Sequence, residues 1–142
     1  MNGPEIALQT VLLVEDTPSL RLIYQAALTR AGMAVEPCGT AAEGLSAFAR
    51  LRPSIVLLDL TLPDGSGLEV MQQMLARQPR TAVIVITANG SINKAVELMR
   101  AGAHEFLVKP FDDQRLVAAV QNARAALSHR QPQAPLPLAE SL

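Results

Sequence analysis

Apolar positions in this chain come in short dense runs separated by helical stripes. Val11–Val14 reads "VLLV", too short for a helix and stopped by Glu15 and Asp16. Ser19–Ala31 is helical, with Leu20, Ile23, Ala27 and Leu28 predicted on one stripe and Gly32 as the stop. Met33–Cys38 is a weaker strand. Thr40 is an N-cap for a helix carrying Leu45, Phe48 and Leu51, which Arg52-Pro53 ends. "SIVLLDL" (Ser54–Leu60) and "AVIVIT" (Ala82–Thr87) are apolar at consecutive rather than alternate positions, the pattern of strands buried on both faces. A loop with Pro63, Gly65 and Gly67 leads into a helix over Leu68–Ala76. Ser91 caps a helix over Ile92–Ala101, closed by Gly102, and Glu105–Val108 is a fifth strand. Asp112–Leu127 is a last helix, with Leu116, Val117, Val120, Ala123 and Leu127 facing inward.

Strict alternation with short connections predicts an α/β fold: a five-stranded parallel sheet with helices on both faces, a (βα)5 flavodoxin-like arrangement. Residues 1–10 read as a lead-in and 11–127 as one domain. Residues 128–142, rich in Pro and Gln and without periodicity, read as a flexible linker or tail.

Composition narrows the function. Twelve basic and thirteen acidic residues give a net charge of −1 over 142 residues. That supplies no cationic excess for direct nucleic-acid contact. No apolar run approaches the ~20 residues of a membrane span, and no secretory signal opens the chain, so no membrane association and a cytoplasmic location are expected. The single cysteine, Cys38, excludes an internal disulfide and reads as a small core residue.

In such a sheet, functional groups gather at the carboxyl ends of the strands. Those positions hold Glu15 and Asp16, then Asp59, Thr87, and Lys109-Pro110. Lys109 is one of only two lysines, the other being Lys94. A carboxylate ending a buried strand must be paired or metal-bound. Two more carboxylates beside it call for a divalent cation, and Mg2+ suits a site with few protein oxygens. A carboxylate beside such an ion can act as a nucleophile and become an aspartyl phosphate.

The stretches "VLLVEDTPSL", "IVLLDLTLPDGSGLEV" and "VIVITANGSINKAVELMRAGAHEFLVKPF", at their spacing, resemble the response-regulator receiver domains of bacterial two-component systems. The resemblance covers Val11–Leu127. It implies the receiver fold, Asp59 as phosphoacceptor, and Mg2+ held by Glu15, Asp16, Asp59 and the backbone carbonyl of Thr61. It further implies phosphate contacts from Thr87 and Lys109, a cis peptide before Pro110, and a switch through Thr87 and Phe106. Phe106 lacks the hydroxyl of the commoner tyrosine, so that switch would work by packing alone. The implied partner is a sensor histidine kinase or a phosphotransfer protein, and the domain is a phosphoacceptor switch rather than an enzyme.

A finer resemblance, to receivers that head sigma-54-dependent transcription activators, implies an ATPase and a DNA-binding region beyond the tail. A free-standing receiver is the other expectation. On the helix over Ile92–Ala101, Ile92, Ala95 and Met99 form a stripe expected to serve a phosphorylation-dependent homodimer, with Val96 and Leu98 turned to the core. A haloacid-dehalogenase-type phosphatase would need a second Asp where Thr61 stands. A flavodoxin-like phosphate loop would not carry the two carboxylates of "EDTPS".

Overall fold

The computed structural model describes residues 10–129. The expected lead-in (1–10, but for Thr10) and most of the tail (130–142) lie outside the described residues. Five parallel strands, β1 (Thr10–Val14), β2 (Ala34–Cys38), β3 (Ile55–Asp59), β4 (Ala82–Thr87) and β5 (Glu105–Val108), form one sheet. Its order is β2-β1-β3-β4-β5. The helices are α1 (Pro18–Arg30), α2 (Ala41–Leu51), α3 (Gly67–Arg77), α4 (Ile92–Arg100) and α5 (Asp113–His129).

The doubly apolar strands are explained by two separate cores. Val11, Leu13, Ile55, Leu57, Ile84 and Ile86 pack against Tyr24, Ala27 and Leu28 of α1 and Leu116, Val120 and Ala123 of α5. The alternate positions Leu12, Val14, Val56, Leu58, Val83 and Val85 face α2, α3 and Leu98 of α4. Each apolar residue of β1, β3 and β4 therefore finds a helix whichever way it points.

Register brings the strand ends level. Val14 pairs with Leu58, Asp59 with Ile86, and Thr87 with Val108. The residue after each strand thus opens onto the same edge.

Three expectations about faces are corrected. Ile23 is 51% exposed, and Tyr24 takes its inward place beside Ala27 and Leu28. The Tyr24 ring stacks on Phe111 at 5.0 Å between centroids, which fixes the rotation of α1. Val96 is 43% exposed, so Leu98 alone is buried on α4. Ala95, placed with Ile92 and Met99 in the stripe, is half-buried. The loop expected around Pro63 holds a two-residue antiparallel ladder, Thr61–Leu62 against Gly65–Ser66. α5 also runs two residues beyond Leu127, through His129. Among the described residues no helix is long and apolar enough to cross a membrane.

Candidate functional site

Glu15 follows β1 and is fully buried, while Asp59 ends β3 at 4% exposure. Asp16 is half-buried beside them. One carboxylate oxygen from each of Glu15, Asp16 and Asp59 lies within 4.8 Å of the others. Lys109, just past β5, reaches in from the far side. Its Nζ donates to Asp59 Oδ2 at 3.0 Å and lies 3.2 Å from Glu15 Oε1. The Lys109–Pro110 peptide is cis.

Three carboxylates against one ammonium leave an excess of negative charge. Burial raises the Glu15 pKa above the usual carboxylate range, and the neighbouring Asp59 adds to the rise against the pull of Lys109 and the Thr17 N–H. For Lys109, burial disfavours the charged form, but the hydrogen bond and charge of Asp59, with the charge of Glu15, outweigh it and hold the pKa above the ordinary value.

The main chain takes part of the load. Asp59 Oδ1 accepts from Thr61 N–H at 2.9 Å, and Glu15 Oε2 accepts from Thr17 N–H at 3.1 Å. Glu15 Oε1 remains buried without a directed hydrogen bond despite its proximity to Lys109. An orphaned carboxylate oxygen in an all-oxygen acidic cluster fits a hard divalent cation such as Mg2+.

Thr87 ends β4, buried like Asp59. Its Oγ1 accepts from Asn89 N–H at 3.0 Å and lies 3.4 Å from Asn89 O, so the hydroxyl is engaged with its own loop. Phe106, paired with Val85 across β4 and β5, is half-buried against the core that α2, α3 and α4 cover. The sequence-predicted residues Glu15, Asp16, Asp59 and Lys109 thus meet at one point. Thr61 meets Asp59 through its N–H, and Ile92, Ala95 and Met99 lie apart on α4. Cys38 is buried, and burial with nearby carboxylates pushes its thiol up to about 11, as suits a packing residue.

Three residues with a part in the site were missed in the sequence. Gly67 opens α3 against the end of β3, where a Cβ would clash with Asp59 O and stand 2.6 Å from Leu60 Cα. Only its place in a glycine-rich loop hinted at this. Asp64 accepts from Ala41 N–H at 2.7 Å and Ala42 N–H at 3.0 Å, capping α2 from the β3–α3 loop. Arg21 donates from Nη1 to Glu15 O at 2.8 Å and Asp16 O at 3.5 Å. An arginine so near a helix N-terminus opposes the helix dipole, a signal that it serves something else.

Comparison with known proteins agrees with this fold. Residues 11–121 match the response regulator receiver domain. Regulatory protein LuxO of Vibrio cholerae is 39% identical over 111 residues, 78% of this chain and 24% of that protein. The DNA-binding transcriptional regulator NtrC of Escherichia coli is 36% identical over 123 residues, 87% of this chain and 26% of that protein. The chain spans about a quarter of the length of these curated relatives. The crystal structure of the signal receiver domain of a LuxO repressor protein from Vibrio parahaemolyticus has a TM-score of 0.80 at 33% identity, covering 84% of this chain and 92% of that one.

Proposed function

The chain belongs to the response regulator receiver domain family, and from that premise we propose that Asp59 accepts a phosphoryl group from a sensor histidine kinase or phosphotransfer protein, in the presence of Mg2+. As a member of that family it is a regulatory switch and not a classical enzyme. The observation that carries the reading is the Lys109 ammonium, 3.0 Å from Asp59 and 3.2 Å from Glu15 Oε1, a buried carboxylate oxygen left without a directed hydrogen bond.

Glu15, Asp16, Asp59 and the Thr61 carbonyl would hold Mg2+. When bound, the ion neutralises the carboxylates and the oxygens of the incoming phosphoryl group. An Asp59 oxygen forms a bond to phosphorus as the phosphorus–nitrogen bond to the donor imidazole breaks. The electron pair leaves with the imidazole. Lys109 turns from the carboxylate to the new phosphoryl oxygens. The Thr87 hydroxyl gives up Asn89 to reach them, which opens space beside β4 for Phe106 to turn inward. These two arrangements coexist, and phosphorylation shifts their populations through the added charge-assisted hydrogen bonds.

The altered surface is then α4, β5 and α5. Ile92, Val96 and Met99 on α4 supply an exposed apolar face, which we assign to a phosphorylation-dependent homodimer. In this reading residues 11–127 form a cytoplasmic receiver and residues 128–142 lead toward the output. Relatives more than three times as long, one of them a DNA-binding transcriptional regulator, support transcription as that output, and the resemblance to sigma-54-dependent activators implies that it runs through an ATPase and DNA-binding region.

Acetyl phosphate with Mg2+ should raise the intact mass by one phosphate, because the receiver itself supplies the reacting groups. Chelating the metal, or the substitution Asp59→Asn, should abolish the gain. Undiminished labelling of the Asp59→Asn variant would refute the assignment.

A further inference from the structure

We propose that Arg21 is a positioning residue for the cation site: its guanidinium, lying in the space that Gly39 leaves open, ties down the carbonyls of Glu15 and Asp16 and so sets where their carboxylates stand. This rests on the reading of the acidic cluster as a Mg2+ site.

The loop between β1 and α1 is only Glu15, Asp16 and Thr17, and it carries two of the three carboxylates. Thr17 N–H holds Glu15 Oε2 from within the loop, but the main chain that carries the Asp16 carboxylate needs a restraint of its own. Arg21 supplies the restraint from the first turns of α1. Its Nη1 reaches Glu15 O at 2.8 Å and Asp16 O at 3.5 Å, and its own backbone N–H bonds Thr17 O at 2.9 Å. One residue thus bonds all three loop residues through their main chain. Among the described residues no carboxylate lies within ion-pair distance of its guanidinium, so ion pairing does not account for its placement.

Charge pulls two ways on an arginine here: it is unfavourable toward the positive end of α1 and toward a bound dication, and favourable toward the three carboxylates. The directed contacts with the loop main chain are what fix its position. Gly39 provides the second observation. A Cβ at position 39 would stand 2.8 Å from Arg21 Nη1 and 3.5 Å from its Cζ. The only group so crowded is the far end of a flexible side chain, so Gly39→Ala would displace the guanidinium while sparing the fold and keeping the charge.

The two readings of Arg21 predict opposite signs. If it acts by charge, removing it tightens Mg2+ binding. If it acts by position, removing it weakens binding, by roughly ten-fold or more as for other residues that orient metal ligands. The test is calorimetric titration of Mg2+ into the full chain, wild type against Arg21→Met, Gly39→Ala and the double variant, with melting temperatures taken without metal. Weakened binding in both single variants is expected. The double variant should bind no more weakly than Arg21→Met, because both changes break the same contact. Arg21→Met binding as tightly as wild type or more tightly would overturn the proposal, as would unchanged affinity in Gly39→Ala. Should Arg21→Met fail to fold, Gly39→Ala decides alone. Wild-type protein that takes up no Mg2+ would instead bring down the cation site itself, and this role of Arg21 with it.

Discussion

Burying Glu15 beside Asp59 costs the fold free energy, because the carboxylates share a small volume with a single ammonium. Glu15→Gln removes one of those charges and keeps an oxygen for the Thr17 N–H. Without metal the variant should be more stable than wild type by roughly 0.5–2 kcal/mol, the usual gain when an unfavourable charge is relieved. The stabilisation that Mg2+ gives should shrink at the same time. Urea denaturation with and without Mg2+ checks both halves. A metal-free variant less stable than wild type would mean that the contact with Lys109 outweighs the repulsion. At this scale the sequence was most legible where a residue ends an apolar run, as Asp59 and Thr87 do, since burial there is dictated by the strand. Arg21 and Gly67 were not legible, because their partners are main-chain atoms whose positions only the folded loop determines.

Among the elements, α2 shows how a loop and a helix are coupled. Thr40 caps it locally, with Oγ1 accepting from Glu43 N–H, while Asp64 takes the N–H groups of Ala41 and Ala42 from across the β3–α3 loop. Those two hydrogen bonds hold the Asp64 carboxyl below the ordinary range. A depressed folded pKa gives a stabilisation that is present above the unfolded value of about 3.9 and lost as pH falls through the folded one. Asp64→Asn should therefore be less stable than wild type at neutral pH, and the two should converge as the solution is acidified below about pH 4. Urea midpoints across that range measure the gap. A constant gap would show that charge plays no part in the cap. The cap was invisible in the sequence because donor and acceptor lie 23 residues apart. Strands were easier: β3 and β4 were legible from composition alone, since only a doubly covered strand is apolar at every position. The helix faces were less so. The phase of α1 is set by the stacking of Tyr24 on Phe111, a tertiary contact that shifts Ile23 outward.

Across the whole molecule, α4 is the least anchored helix. Leu98 is its one buried residue, whereas α2 and α3 each bury four. A helix held by a single core side chain can shift at small cost, and α4 lies directly after the loop that Thr87 engages. Its outer face carries Ile92 at 80%, Val96 at 43% and Met99 at 46% exposure, apolar area left bare in this arrangement. These residues recur at i, i+4 and i+7, so they form one continuous ridge rather than scattered surface residues. The proposed dimer would cover that ridge once the Thr87 loop has moved. Beryllofluoride with Mg2+ should therefore convert monomer to dimer in analytical ultracentrifugation, and protein without the two should remain monomeric. Met99→Asp places a charge at the C-terminal end of the ridge, where desolvating it is costly. That variant should still bind beryllofluoride yet sediment as a monomer. Activated wild-type protein that stays monomeric at high concentration would eliminate the dimer. Undiminished dimerisation of Met99→Asp would leave the dimer standing and move its interface away from α4.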